Sequence, residues 1–160
     1  MHKQVDAIVF GLMLTVAIPV AVSAEKLALK DDRVSVKLGP EVAAAEEKVK
    51  AIEEYRIMER LQEELKNRMA NFPRSSKAQI VINKLHLRSG SAVFFAGRMT
   101  GDDFIETDIT ITDNGKQTHH MVIESVNTAS SHSQVPPRRV NNMIRKFGSQ
   151  VSRELRSYRR

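Results

Sequence analysis

The sequence predicts an α+β fold, a mostly antiparallel sheet with two helices on one face, and three observations predict it. A long apolar stripe at helical spacing separates one alternating segment from several later ones, a second stripe closes the chain, and Asp113-Asn114-Gly115 marks a tight hairpin between two strands. The element order is β-α-β-β-(β)-β-α, with no repeat at a spacing of roughly 20 to 50 residues.

Taking the elements in order, Arg33 to Leu38 alternates, with Val34, Val36 and Leu38 on one side and Ser35 and Lys37 on the other, which is the pattern of a half-buried strand. Gly39-Pro40 ends it, and proline suits a first helical turn because its missing amide hydrogen would be unpaired there anyway. From Val42 the apolar positions Val42, Ala45, Val49, Ile52, Tyr55, Met58, Leu61, Leu65 and Met69 define one helical face ending near Asn71, before Phe72-Pro73. Glu46 with Lys50, and Glu64 with Arg68, are spaced to pair along it. Thirty residues of helix measure about 45 Å, more than a strand of ordinary length spans, so the helix must break or project. The stripe shifts where Ile57 and Met58 are both apolar, and a bend or a partial protrusion is expected between Tyr55 and Met58.

Ala78 to Arg88 reads as a strand and Ser89-Gly90-Ser91 as a turn. Ala92 to Phe95 with Gly97 and Gly101 reads as an irregular strand or a bulged hairpin. Phe104 to Thr112 and Thr118 to Val126 form the arms of the hairpin, and Asn127 to Gln134 is a polar loop. Pro136-Pro137 opens the last helix, whose apolar residues Val140, Ile144, Phe147, Val151, Leu155 and Tyr158 fall within about 80° of arc at 100° per residue. The basic residues are expected on the opposite side of that helix, and Phe147 at its buried centre.

The first 24 residues bear on location. A lysine near the amino terminus, 16 mostly apolar residues from Ala7 to Val22, and Val22-Ser23-Ala24 ahead of Glu25 have the layout of a secretory signal peptide. Pro19 interrupts an apolar run that is shorter than the roughly 20 residues a spanning helix needs. Cleavage after Ala24 is expected, with a retained anchor as the alternative because Asp6 is atypical of a signal. Residues 1–24 are then the signal segment and 25–160 one domain, exported to the periplasm or secreted, with no transmembrane span in the mature chain.

Composition narrows the function classes. The chain has no cysteine, which excludes disulfides, thiol nucleophiles and zinc–thiolate sites. Few aromatics and no tryptophan leave poor stacking platforms for sugars or unpaired bases. The formal charge is +6, and residues 136–160 hold eight basic residues against Glu154 alone, so all the excess lies in the last segment. Nucleic acid would satisfy that charge, but an export signal argues against it.

The residues Ile80-Val81-Ile82, the glycine-spaced segment from Gly90 to Gly101, and the hairpin from Ile109 to Lys116 resemble a family of small exported bacterial envelope proteins and lipoproteins of unknown function. Its domain is similar to the amino-terminal domain of the Tol-system β-propeller protein. The family's Asp-x-x-Gly-Lys spacing is one residue shorter here, and the lipidated cysteine of many members is missing. The resemblance implies an envelope location and a strand–helix–strands–helix domain, and it carries over no functional residues.

Among chemically active residues, His119 and His120 are adjacent, so on a strand they point to opposite faces and at most one can join a given site. One of them with His86 or Asp108 is a candidate metal or hydrolytic centre. The acids Asp102, Asp103, Glu106, Asp108 and Asp113 lack the spacing of a calcium loop, and no Gly-x-Ser-x-Gly elbow or phosphate-cradling glycine loop occurs. The expectation is a non-catalytic exported domain with no cofactor. Its partner would be an envelope protein or an anionic lipid or lipopolysaccharide surface, met through Arg138, Arg145, Arg153 and Arg156 of the last helix. The alternative is a small hydrolase or metal-dependent enzyme built on histidine and neighbouring acids.

Overall fold

In a computed structural model, residues 29–30, 33–88, 102–127 and 135–157 are described. The elements are β1 (Leu29–Lys30), β2 (Val34–Leu38), α1 (Pro40–Ala43), α2 (Glu46–Glu54), α3 (Ile57–Arg68), β3 (Lys77–His86), β4 (Asp103–Asp113), β5 (Lys116–Asn127) and α4 (Pro136–Ser157). The signal segment, the Ala92–Gly101 stretch, most of the 127–134 loop, Tyr158, Arg159 and Arg160 lie outside the described residues.

The protein is α+β. Its sheet runs β1-β2-β3-β4-β5, with β2 and β3 parallel and every other neighbouring pair antiparallel. Alternation dictates which face is covered. Val34 and Val36, Ala78, Ile80 and Ile82, Ile105, Ile109 and Ile111, and Met121 and Ile123 are buried at every second position. The intervening residues form the other, open face, where Val122 is 59% exposed. One apolar core joins the inward strand residues to Val42, Ile52, Leu61 and Leu65 from the first helical stretch and to Val140, Met143, Phe147, Val151 and Leu155 from α4.

The tight turn forms as its residues require. Asn114 and Gly115 both have positive φ, at 48° and 79°, matching the primed turn whose twist suits antiparallel strands. Two register shifts interrupt the ladders. Asn83 is the extra residue opposite β4 and donates to Asp108 Oδ2 at 2.8 Å. Thr118 is the extra residue opposite Ile111 and donates to its carbonyl at 3.2 Å.

The long first helix breaks rather than projects. α2 ends at Glu54 with Tyr55 as its cap, and Arg56 adopts the left-handed conformation (φ 51°, ψ 45°) before α3 begins. The expected bend therefore falls where the apolar stripe shifts, and both Ile57 and Met58 are buried after it. A second interruption, at Ala44 and Ala45 between α1 and α2, has no signal in the apolar spacing. Gly39 is needed for a close approach: its amide donates to Ile82 O at 2.8 Å, and a Cβ there would stand 3.0 Å from that oxygen. The short strand β1 also escaped the sequence reading, since two residues carry no periodicity.

Candidate functional site

α4 crosses β4 and β5 and also packs against α3. Its apolar residues, including Phe147 at 0% exposure, are buried, which fixes the opposite side outward. Arg138, Arg145, Arg153 and Arg156 are all exposed. At 100° per residue Arg138, Arg145 and Arg156 lie within about 20° of one line, Arg153 lies about 60° to one side, and the row is about 27 Å long. Among the described residues none of the four forms an ion pair, and Arg145 Nη2 makes a long contact of 3.5 Å with Asn142 Oδ1. The four residues singled out in the sequence thus share one exposed side of one rigid element.

Two other polar residues of α4 are tied to the sheet. Lys146 Nζ donates to Val126 O at 2.8 Å and Gln150 Nε2 to Glu124 O at 2.8 Å, so both cap backbone carbonyls of the edge strand β5. They line a shallow cleft of about 340 Å³ with Glu124, Ser149 and Arg153.

Arg139 is a correction. It was expected on the outer face with the other basic residues, yet it is 2% exposed. The helical rotation that points Arg138 outward turns the next residue by 100° toward the sheet, where Asp103 waits. Asp103 is in phase with Ile105, Ile109 and Ile111 and therefore points inward. Its Oδ1 accepts from the Arg88 backbone amide at 2.9 Å, its Oδ2 from Arg88 Nη2 at 3.2 Å, and Arg139 Nε stands 3.5 Å from Oδ2. Arg139 Nη2 donates to Arg88 O at 2.6 Å. An acid at an inward strand position was the available signal for this cluster.

The acids considered for calcium do not converge. Asp103 is inside, Glu106 faces the open side and meets Lys84 Nζ at 3.0 Å, and Asp108 is held by Asn83. Asp113 lies at the far end of β4 beside Ser75, whose hydroxyl donates to it. The Glu106 contact and its negative charge raise the Lys84 pKa.

The histidines divide as adjacency requires. His120 lies on the open face opposite Thr110, whereas His119 turns inward opposite Ile111, its ring edge-on to Phe72 at 5.7 Å. His86 stacks on Phe104 at 5.9 Å. Since His86 pairs with Phe104 and His120 with Thr110, six residues along β4 separate these two, about 20 Å. Among the described residues no group of three or more acids and histidines is placed to hold a metal.

His119 does line a concave site of about 310 Å³ with Asn71, Phe72, Pro73, Ser76, Asp113 and Thr118. Serine, histidine and aspartate thus meet at the hairpin end, but in the wrong order for nucleophile activation. A catalytic histidine stands between acid and hydroxyl. Here the Ser75 hydroxyl binds Asp113 directly, and His119 Nδ1 lies 2.9 Å from Thr118 Oγ1.

No family model, curated protein or solved structure matches the chain. Among the described residues no helix is long and apolar enough to cross a membrane.

Proposed function

We propose that this protein is a non-catalytic exported domain, periplasmic or secreted, that binds an anionic partner in the cell envelope through the outer side of α4. One observation carries the reading. The apolar side of α4 is spent in the core, while Arg138, Arg145 and Arg156 line up on the exposed side without acid partners among the described residues. Contact there is electrostatic rather than insertional, because no apolar stripe remains to enter a bilayer. Clustered arginines facing an anionic surface contribute about 1 kcal/mol each. The export part of the reading rests on the amino-terminal segment, and mass spectrometry of the exported protein should find Glu25 first. Intact chain recovered only from the membrane fraction would reverse it.

The surface is tested by changing Arg138, Arg145, Arg153 and Arg156 together to glutamine. Retention on vesicles rich in anionic lipid should be lost at low salt, and wild-type retention should fall steeply between low and physiological ionic strength, where the screening length is about 8 Å. The melting temperature should barely move, since exposed substitutions cost under about 0.5 kcal/mol each. Equal retention of variant and wild type, or no retention of either, refutes the reading.

A further inference from the structure

Among the described residues, the inner side of α4 carries a charge that its neighbours do not balance. Arg88, Asp103 and Arg139 are 7%, 0% and 2% exposed, and Asp103 is the only buried acid among the described residues. Its two oxygens already receive three contacts from Arg88. Arg139 is the second cation on one carboxylate, and its Nε and Nη1 find no hydrogen-bond acceptor although both are buried. The 3.5 Å between Nε and Asp103 Oδ2 is an ion-pair distance without hydrogen-bond alignment.

Asn127 stands directly across the ladder from Asp103 and is 6% exposed, and its amide Nδ2 also finds no acceptor. The unmet groups around this carboxylate are thus all donors, and the cluster holds a net charge of +1. A buried lysine could relieve such an excess by losing its proton; an arginine cannot, because guanidinium stays charged across the accessible pH range. Backbone amides of the helix start do not explain the arrangement either. Pro136 and Pro137 have no amide hydrogen, and the amides of Arg138 and Arg139 both donate to Val135 O.

We propose that Arg139 and Asn127 hold one small monovalent anion, chloride or a small carboxylate, beside Asp103 on the inner side of the first turns of α4. One negative charge neutralises the cluster, and acceptor-only chemistry suits N–H groups that have nothing else to bind. A dianion would overshoot to −1 and carry a larger desolvation cost. The site is separate from the outer arginines, so it stands or falls independently of the vesicle experiment.

The test is thermal unfolding of the full chain in gluconate, an anion too bulky for an enclosed space, replaced stepwise by chloride or acetate at constant ionic strength. Wild type should gain about 3 to 6 °C for each tenfold rise beyond the dissociation constant. Arg139→Met leaves Asp103 paired with Arg88 alone and should lose that dependence. Asn127→Asp supplies the missing carboxylate from within, so it should melt above wild type in gluconate and no longer respond to chloride. A wild type indifferent to the exchange, or an Arg139→Met protein that responds as wild type does, overturns the site. Should Arg139→Met fail to fold, an Asn127→Asp protein as anion-dependent as wild type overturns it equally.

Discussion

Two helical stretches of nearly equal length cover one face of this sheet and reach their places differently. α2 and α3 together have 21 residues in two pieces, and α4 has 22 in one. The first stretch mixes acids and bases in near balance and pairs them along its surface, as Lys50 with Glu46 at 2.8 Å and Arg68 with Glu64. The second carries six basic residues and one acid. The break follows from the apolar spacing. Ile52 and Ile57 would lie 140° apart on a continuous helix, and the left-handed residue between them lets both enter the core. In α4 the buried residues stay in register from Val140 to Leu155, so no reversal is needed. An unbroken stripe leaves an unbroken opposite side, and only the second stretch therefore presents an aligned row of like charge.

The largest effect that would test this comparison is expected at Phe147. Its truncation to alanine removes the bulkiest fully buried side chain among the described residues, on the helix that supplies the row, and should cost about 3 to 5 kcal/mol in urea unfolding. A loss under about 1 kcal/mol would mean that α4 is not anchored by its stripe.

A sharper contrast comes from one substitution made in both stretches. Arg56 occupies a left-handed position that glycine adopts without penalty, and its contact with Glu59 is long at 3.9 Å and well exposed. Arg56→Gly should stabilise by up to about 1 kcal/mol. Arg145→Gly, at an exposed interior position of α4, should destabilise by about 1 kcal/mol. Effects of the same sign would show that the break is not where the backbone is strained.

The smallest effect concerns the residue before the break. Burial, and then a hydrogen bond to Glu54, raises the Tyr55 pKa above 10.0. The folded state therefore holds this proton more tightly than the unfolded chain, and the stabilisation, complete below about pH 10, is lost as pH climbs through the folded value. Tyr55→Phe has nothing to titrate, so the wild type should lose stability relative to it above pH 10 in paired urea titrations. Parallel curves up to pH 11.5 would refute that assignment.

Most of the fold was legible because alternation and helical spacing are local. The hairpin, β2, β3 and α4 fall where their patterns place them, and even the bend at Tyr55 has a signature in the adjacency of Ile57 and Met58. The outer arginines were legible for the same reason, since an apolar stripe defines its own opposite. Arg139 was not. Helical position alone sets it at the flank of the stripe, and only Asp103, brought in by a strand 36 residues earlier, decides that it goes inside. The relation of Ser75, Asp113 and His119 likewise depends on a loop meeting a hairpin end, which no spacing in the chain encodes.

The capping of β5 has a consequence for how copies of this chain meet one another. A strand at the margin of a sheet offers a row of backbone groups on which a foreign strand can add, the first step of aggregation. Lys146 and Gln150 occupy the carbonyls of Val126 and Glu124 along that margin, shortening the run open to an intruder and setting a cationic group beside it. The helix that faces outward with its arginines is in this way also a guard rail for the sheet, and a redesign that strips α4 of charge for solubility or for a new partner must spare Lys146 or expose the strand it shields.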